Sequence, residues 1–239
     1  MGAVSGMADD GTDGGTADDG AAMRGAEAGD GGFDAALGAA WLTAAADAVA
    51  REAERLSALD AAIGDGDHGT NLKRGFAAVA AKLAEGVPAT PGAVLVLTGR
   101  QLISTVGGAS GPLYGSLLRA TGKALGETES ADVAALAAAF TAGVEAVAKL
   151  GGASVGDKTM LDALSPAAEA LRAAAEDGVA TAQALDLAAR AAEEGAKETV
   201  PLRARKGRAS YLGERSEGHE DPGAASTALL WRVLADTAA

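Results

Sequence analysis

Residues 59–72 read Leu59-Asp60-Ala61-Ala62-Ile63-Gly64-Asp65-Gly66-Asp67-His68-Gly69-Thr70-Asn71-Leu72. Three carboxylates, Asp60, Asp65 and Asp67, fall within eight positions, interrupted by Gly64 and Gly66. Upstream, Leu37, Trp41, Ala45, Ala48, Leu56, Leu59 and Ile63 recur at the steps of one helix face. Downstream, Leu72, Phe76, Val79 and Leu83 form a second helical stripe. The acidic turn therefore joins helix to helix, and the two glycines stop the first.

The same pattern continues to the C-terminus. The run Gly92–Val106 is apolar nearly all round and predicts a buried helix. A helix resumes at Leu113 and runs to about Leu125, and another spans 131–149. Thr159–Leu164 leads to a helix initiated by Pro166 and ending near Glu176, followed by helices at 181–197 and 223–235. No convincing strand emerges, and a composition of 48% apolar but 3% aromatic residues, dominated by alanine, favours closely packed helices over a sheet. The expected fold is all-α, a bundle of about eight antiparallel helices. Glycine breaks recur at 64–69, 107–111 and 151–156, two helices apart, so antiparallel packing brings all three to one end. Glycine there lets main chain approach a ligand closely.

Residues 1–32 are Gly, Asp, Ala and Thr with almost nothing apolar, and are expected to form a disordered acidic tail ahead of a single domain at 33–239. Residues 1–34 hold eight acids against Arg24, more than half of the formal charge of −13. The remaining chain is moderately acidic, a poor fit to nonspecific nucleic-acid binding. There is no cysteine, hence no disulfide framework, zinc thiolate site or thiol nucleophile. No apolar run is read as a membrane span, and the start MGAVSGMADD has neither an apolar core nor a basic flank, so a cytoplasmic protein is expected.

Three familiar loops fail on chemistry. Gly64–Gly69 matches GxGxxG, but a helix precedes it and its two aspartates would repel a pyrophosphate. Gly151–Thr159 resembles a P-loop, but Asp157 separates Gly156 from Lys158. A calcium loop starting at Asp65 needs a glutamate where Phe76 stands. What remains for Asp60, Asp65 and Asp67 is a hard-oxygen site suited to Mg2+ or a solvated Asp-Gly turn. If a nucleotide diphosphate of about −3 joins three carboxylates, two Mg2+ bring the sum to about −2. His68 opens a helix N-terminus, where it reads equally as a phosphate donor or as a cap. Ser110 is more simply read as the cap of its helix than as a phosphate donor. Pro201–Pro222 lacks any period and carries Arg203, Arg205, Lys206, Arg208 and Arg215, a lid over phosphate, a patch for an acidic partner, or a solvated loop.

Four stretches together resemble one family: LDAAIGDGDHGTNL (59–72), GGASGPLYG (107–115), GDKTMLDAL (156–164) and GRASYLGERSEGHEDPGA (207–224). They resemble the nucleotide-binding L subunit of bacterial dihydroxyacetone kinases, related to the C-terminal domain of the single-chain ATP-dependent kinases. The resemblance covers the chain from about residue 35 onward. It implies a closed barrel of eight antiparallel helices with two Mg2+ ions, held by Asp60, Asp65 and Asp67, anchoring ADP or ATP at one end. The nucleotide contacts it implies fall on His68, Gly69, Thr70, Asn71, Ala109, Ser110, Gly151 (with Gly152 beside it as the alternative), Met160, Arg208, Asp221, Pro222 and Gly223. Met160 would pack on the base, and Arg208 would join the three aspartates in neutralising the transferring phosphoryl group. It further implies a separate K subunit that binds dihydroxyacetone and a phosphohistidine M subunit that rephosphorylates the held ADP. A regulatory module for a transcription factor and the same domain serving another kinase substrate are the competing readings. Oligomeric state does not follow from the sequence, a homodimer being one option.

Overall fold

The computed structural model describes Met1, Gly2 and residues 31–239, so the tail expected at 1–32 lies almost wholly outside the described residues. Among the described residues there are eight α-helices: α1 Ala35–Ile63, α2 His68–Glu85, α3 Pro91–Thr105, α4 Ser110–Leu125, α5 Val133–Gly151, α6 Leu161–Glu176, α7 Thr181–Glu198 and α8 Pro222–Ala238. A two-residue antiparallel pair, β1 Phe33–Asp34 with β2 Ser130–Ala131, ties the start of α1 to the α4–α5 connection. A 3-10 helix at Arg208–Ser216 lies inside the aperiodic segment between α7 and α8.

Each helix packs on the next, and α8 returns to pack on α1. Helix starts follow local chemistry. Asp34, Thr90, Asp132 and Asp221 each accept a main-chain N–H of the first turn of α1, α3, α5 and α8. Small residues set the spacing of α3 and α4. A Cβ on Gly99 would fall 2.7 Å from the Gly115 carbonyl oxygen, and one on Gly92 would fall 2.4 Å from that of Gly126. Four buried aromatics, Phe33, Trp41, Phe140 and Trp231, form one chain of ring contacts. Phe140 stacks at 4.5 Å on Trp231 and edge-on to Trp41, whose indole N–H donates to the Leu230 carbonyl.

Two expectations are corrected. Pro166 does not initiate a helix but sits inside α6. Proline removes the N–H that would bond the carbonyl of Asp162. Gly195 of α7 packs over that carbonyl, where a Cβ would fall 2.1 Å from the oxygen. Also, α5 is by length and composition apolar enough to cross a membrane, although no such run was read from the sequence. Its alanines disguise it, and in the fold it packs between α4 and α6.

Because neighbours run antiparallel, the α1–α2, α3–α4, α5–α6 and α7–α8 connections gather at one end. Three of these are the glycine breaks expected there. The fourth is the long basic segment 199–221, seated on the end of α1 by an apolar cluster of Ile63, Ala204, Ala209 and Leu212.

Candidate functional site

The four connections surround a cavity of about 300 Å³, the lower end of the range typical of small-ligand sites. Asp60, Asp65, Asp67 and His68 enter it from the first connection, Ala109 and Ser110 from the second. Gly151, Lys158 and Met160 come from the third, and Arg208, Asp221, Pro222 and Gly223 from the fourth. From this stretch the end of α1, the turn and His68 contribute to the lining; Gly69, Thr70 and Asn71 lie outside it.

Carboxylate oxygens of Asp60, Asp65 and Asp67 all lie within 4.8 Å of one another, with Asp60 buried and the other two exposed. Their roles differ. One oxygen of Asp60 accepts the main-chain N–H groups of Asp67 and His68, at 2.8 and 3.1 Å, and so caps α2 from the preceding helix. Asp67 occupies the cap position but makes no capping bond, which leaves its carboxylate turned outward. Asp65 meets Arg208 Nη2 at 3.1 Å, with both side chains exposed. Like charges this close repel, and Arg208 compensates only part of the cluster. The donor set, three hard carboxylate oxygens beside a helix N-terminus, fits Mg2+ and does not fit a thiolate- or imidazole-seeking metal.

His68 and Ser110 take neither simple cap role. Asp60 provides the α2 cap, and α4 starts with no side-chain cap. Instead His68 Nδ1 lies 3.0 Å from Ser110 Oγ and Nε2 2.8 Å from Ser226 Oγ, joining α2, α4 and α8. Burial holds the imidazole's pKa below its ordinary value, against the pull of Asp60 and Asp67. Ser226 continues to Tyr114 Oη at 2.7 Å, which also reaches Thr227 at 3.0 Å. Burial pushes the Tyr114 phenol up to about 12, so it stays neutral.

Met160 is buried just before α6 and lines the cavity. Asp221 is buried at the α8 cap, its carboxylate accepting Ala224 N–H, and burial pushes its pKa up to about 7. Gly151 ends α5 and lines the cavity, whereas Gly152 takes the left-handed turn that follows.

Sequence reasoning passed over Tyr114, Ser226 and Lys158. Tyr114 and Ser226 stood on apolar helical stripes with no local partner. Lys158 was weighed only as a failed P-loop lysine, yet it is buried among main-chain carbonyls.

Residues 62–236 match the DAK2 domain family. The chain is 44% identical over 195 residues to the Escherichia coli protein named PEP-dependent dihydroxyacetone kinase, ADP-binding subunit DhaL, covering 82% of this chain and 93% of that one. It is 42% identical over 211 residues to D-erythrulose kinase of Mycolicibacterium smegmatis, covering 87% of this chain and 36% of that one. Among solved structures it resembles the dihydroxyacetone kinase of C. freundii in complex with AMP-PNP and Mg2+, with a TM-score of 0.64 and 28% identity. That match covers 86% of this chain and 34% of the kinase, so the chain spans about a third of its length.

Proposed function

The chain belongs to the DAK2 domain family, and from that premise we propose that it is the ADP-binding, phosphoryl-transferring subunit of a dihydroxyacetone kinase. The observation that carries this reading is the convergence of Asp60, Asp65 and Asp67 at the mouth of a cavity ringed by glycine turns. Two Mg2+ ions held there would neutralise the phosphates of ADP or ATP and polarise the transferring group.

The chain's own residues bind and orient. Asp60 is set by the α2 main chain, so its free oxygen has a defined direction. Arg208, already paired with Asp65, brings positive charge to the place where transferring phosphoryl oxygens gather negative charge. His68, with both ring nitrogens bonded to Ser110 and Ser226, fixes the Ser110 hydroxyl at the phosphate end of the cavity, while Met160 offers a soft apolar surface to the base. Ala109, Gly151, Pro222 and Gly223 complete the pocket wall with little side-chain bulk, and Gly69, Thr70 and Asn71 shape the helix N-terminus behind the turn.

Phosphoryl transfer asks for positioning and charge neutralisation more than for covalent work by the protein. The acceptor, dihydroxyacetone, is supplied on a separate K subunit, and a phosphohistidine M subunit restores ATP from the held ADP. The erythrulose kinases among the relatives favour a second reading, a neighbouring ketose as acceptor.

Calorimetry of ADP binding in Mg2+ tests the site. Asp65→Asn should abolish tight binding, and wild-type affinity in that variant would overturn the ligand assignment. Supplying K and M subunits with phosphoenolpyruvate-derived phosphoryl groups tests the reaction, and no triose phosphate in that mixture would overturn it.

A further inference from the structure

Lys158 is 1% exposed, and its backbone lies at φ +61, the only non-glycine residue with positive φ among the described residues. A left-handed lysine is strained, so the surroundings must hold it. The turn before α6 does so. Asp162 accepts the main-chain N–H groups of Gly156 and Thr159 on either side of Lys158.

From that rigid turn the ammonium reaches into the α7–α8 segment. It donates to the carbonyls of Thr199 at 2.8 Å, Leu202 at 3.0 Å and His219, with the Val200 oxygen at 3.4 Å. An ammonium has three donors, so the three shorter bonds satisfy it. Thr199 and Val200 follow the C-terminus of α7, the negative end of that helix. Leu202 and His219 stand at opposite ends of the excursion that carries Arg208. The same neck is closed by Gly218 N–H donating to the Val200 carbonyl and Asp221 N–H donating to Thr199 Oγ1. Lys158 is thus a buried cation whose hydrogen bonds all go to main-chain carbonyls from both ends of one loop.

We propose that Lys158 is a positioning residue: it staples the neck of the 199–221 segment and so holds Arg208 over the carboxylate cluster. It acts on phosphoryl transfer only through that segment. The part concerning Arg208 rests on the function proposed above, whereas the staple does not.

The staple is tested on the full-length protein by tryptic cleavage. Arg203, Arg205, Lys206 and Arg208 have exposed side chains, so cutting there reports how freely the main chain opens. Lys158→Met keeps the stem and removes the ammonium, leaving carbonyls without their donor. Cleavage in the segment should rise by about tenfold or more. Lys158→Ala keeps the backbone strain and leaves room for propylammonium, which should slow its cleavage by more than it slows that of the wild type at the same concentration, a comparison that cancels the amine's own competition for trypsin. Unchanged cleavage in Lys158→Met, or no ammonium-specific rescue in Lys158→Ala, overturns the staple. Should the methionine variant not fold, the alanine variant with and without propylammonium carries the test alone.

The link to Arg208 is tested by ADP affinity in Mg2+ across a double-mutant cycle. Lys158→Met should weaken binding in the wild type and have no further effect in an Arg208→Ala background; additive losses overturn the link. If Arg208→Ala alone leaves affinity unchanged while Lys158→Met still speeds cleavage, the role given to Arg208 fails and the staple stands.

Discussion

His68 Nε2 lies 2.8 Å from Ser226 Oγ, so the first residue of α2 is bonded to the fifth residue of α8, 158 positions along the chain. Three helix N-termini meet through this contact, because His68 also holds Ser110 at the start of α4. The cavity floor is therefore a polar knot set on an apolar core, and its geometry depends on groups well below the surface.

Tyr114→Phe should reveal that dependence. The phenol is buried and bonds Ser226 and Thr227, which would each lose a partner. A loss of about 1–3 kcal/mol is expected, chiefly from the buried Thr227 hydroxyl, since Ser226 keeps His68. Urea unfolding of the ligand-free protein measures it, and a midpoint equal to wild type would contradict the network.

The three aspartates, proposed together as ligands, should separate in the absence of ligand. Asp60→Ala removes the α2 cap and should cost about 0.5–2 kcal/mol. Asp67→Ala removes a repelling charge that makes no capping bond, and should change stability by no more than about 0.5 kcal/mol or raise it. Thermal melts of the two ligand-free variants decide the matter; equal losses would show that the capping distinction is wrong.

Asp221 predicts a pH dependence of unusual sign for a carboxylate. Burial raises its folded pKa to about 7, so the folded state favours the protonated form. That contribution is fully present below the unfolded value of about 3.9 and is lost as pH rises through about 7. Asp162 adds to the upward push, and Lys158 and the Ala224 N–H oppose it. Asp221→Asn keeps an acceptor for Ala224 N–H and cannot ionise. Across the window from about pH 4 to about pH 7, wild type should lose stability relative to the variant. Parallel melting curves over that range would refute the assignment.

The acidic turn of the candidate site is legible in the sequence. Asp60, Asp65 and Asp67 lie within one turn, and glycines leave such a turn few ways to point its carboxylates. The helix periods and breaks likewise placed three connections at one end. Gly69 shows the limit of reading by motif. Its missing side chain is required by α1, since a Cβ would fall 1.9 Å from the Ala53 carbonyl oxygen. From sequence alone that packing demand looks the same as a demand made by a ligand.

The sequence by itself determined whatever is carried by near neighbours: the helices, their aspartate and threonine caps, the acidic turn, and the motifs that identify the family. Only the tertiary structure decided the partners of His68, Ser110, Tyr114 and Lys158. Those contacts join residues 41 to 158 positions apart, and neither spacing nor periodicity encodes a pairing made by packing helices side by side. A lysine in a polar turn reads as solvated until the fold surrounds its ammonium with carbonyls. A serine at a helix start reads as a cap until another helix supplies a histidine.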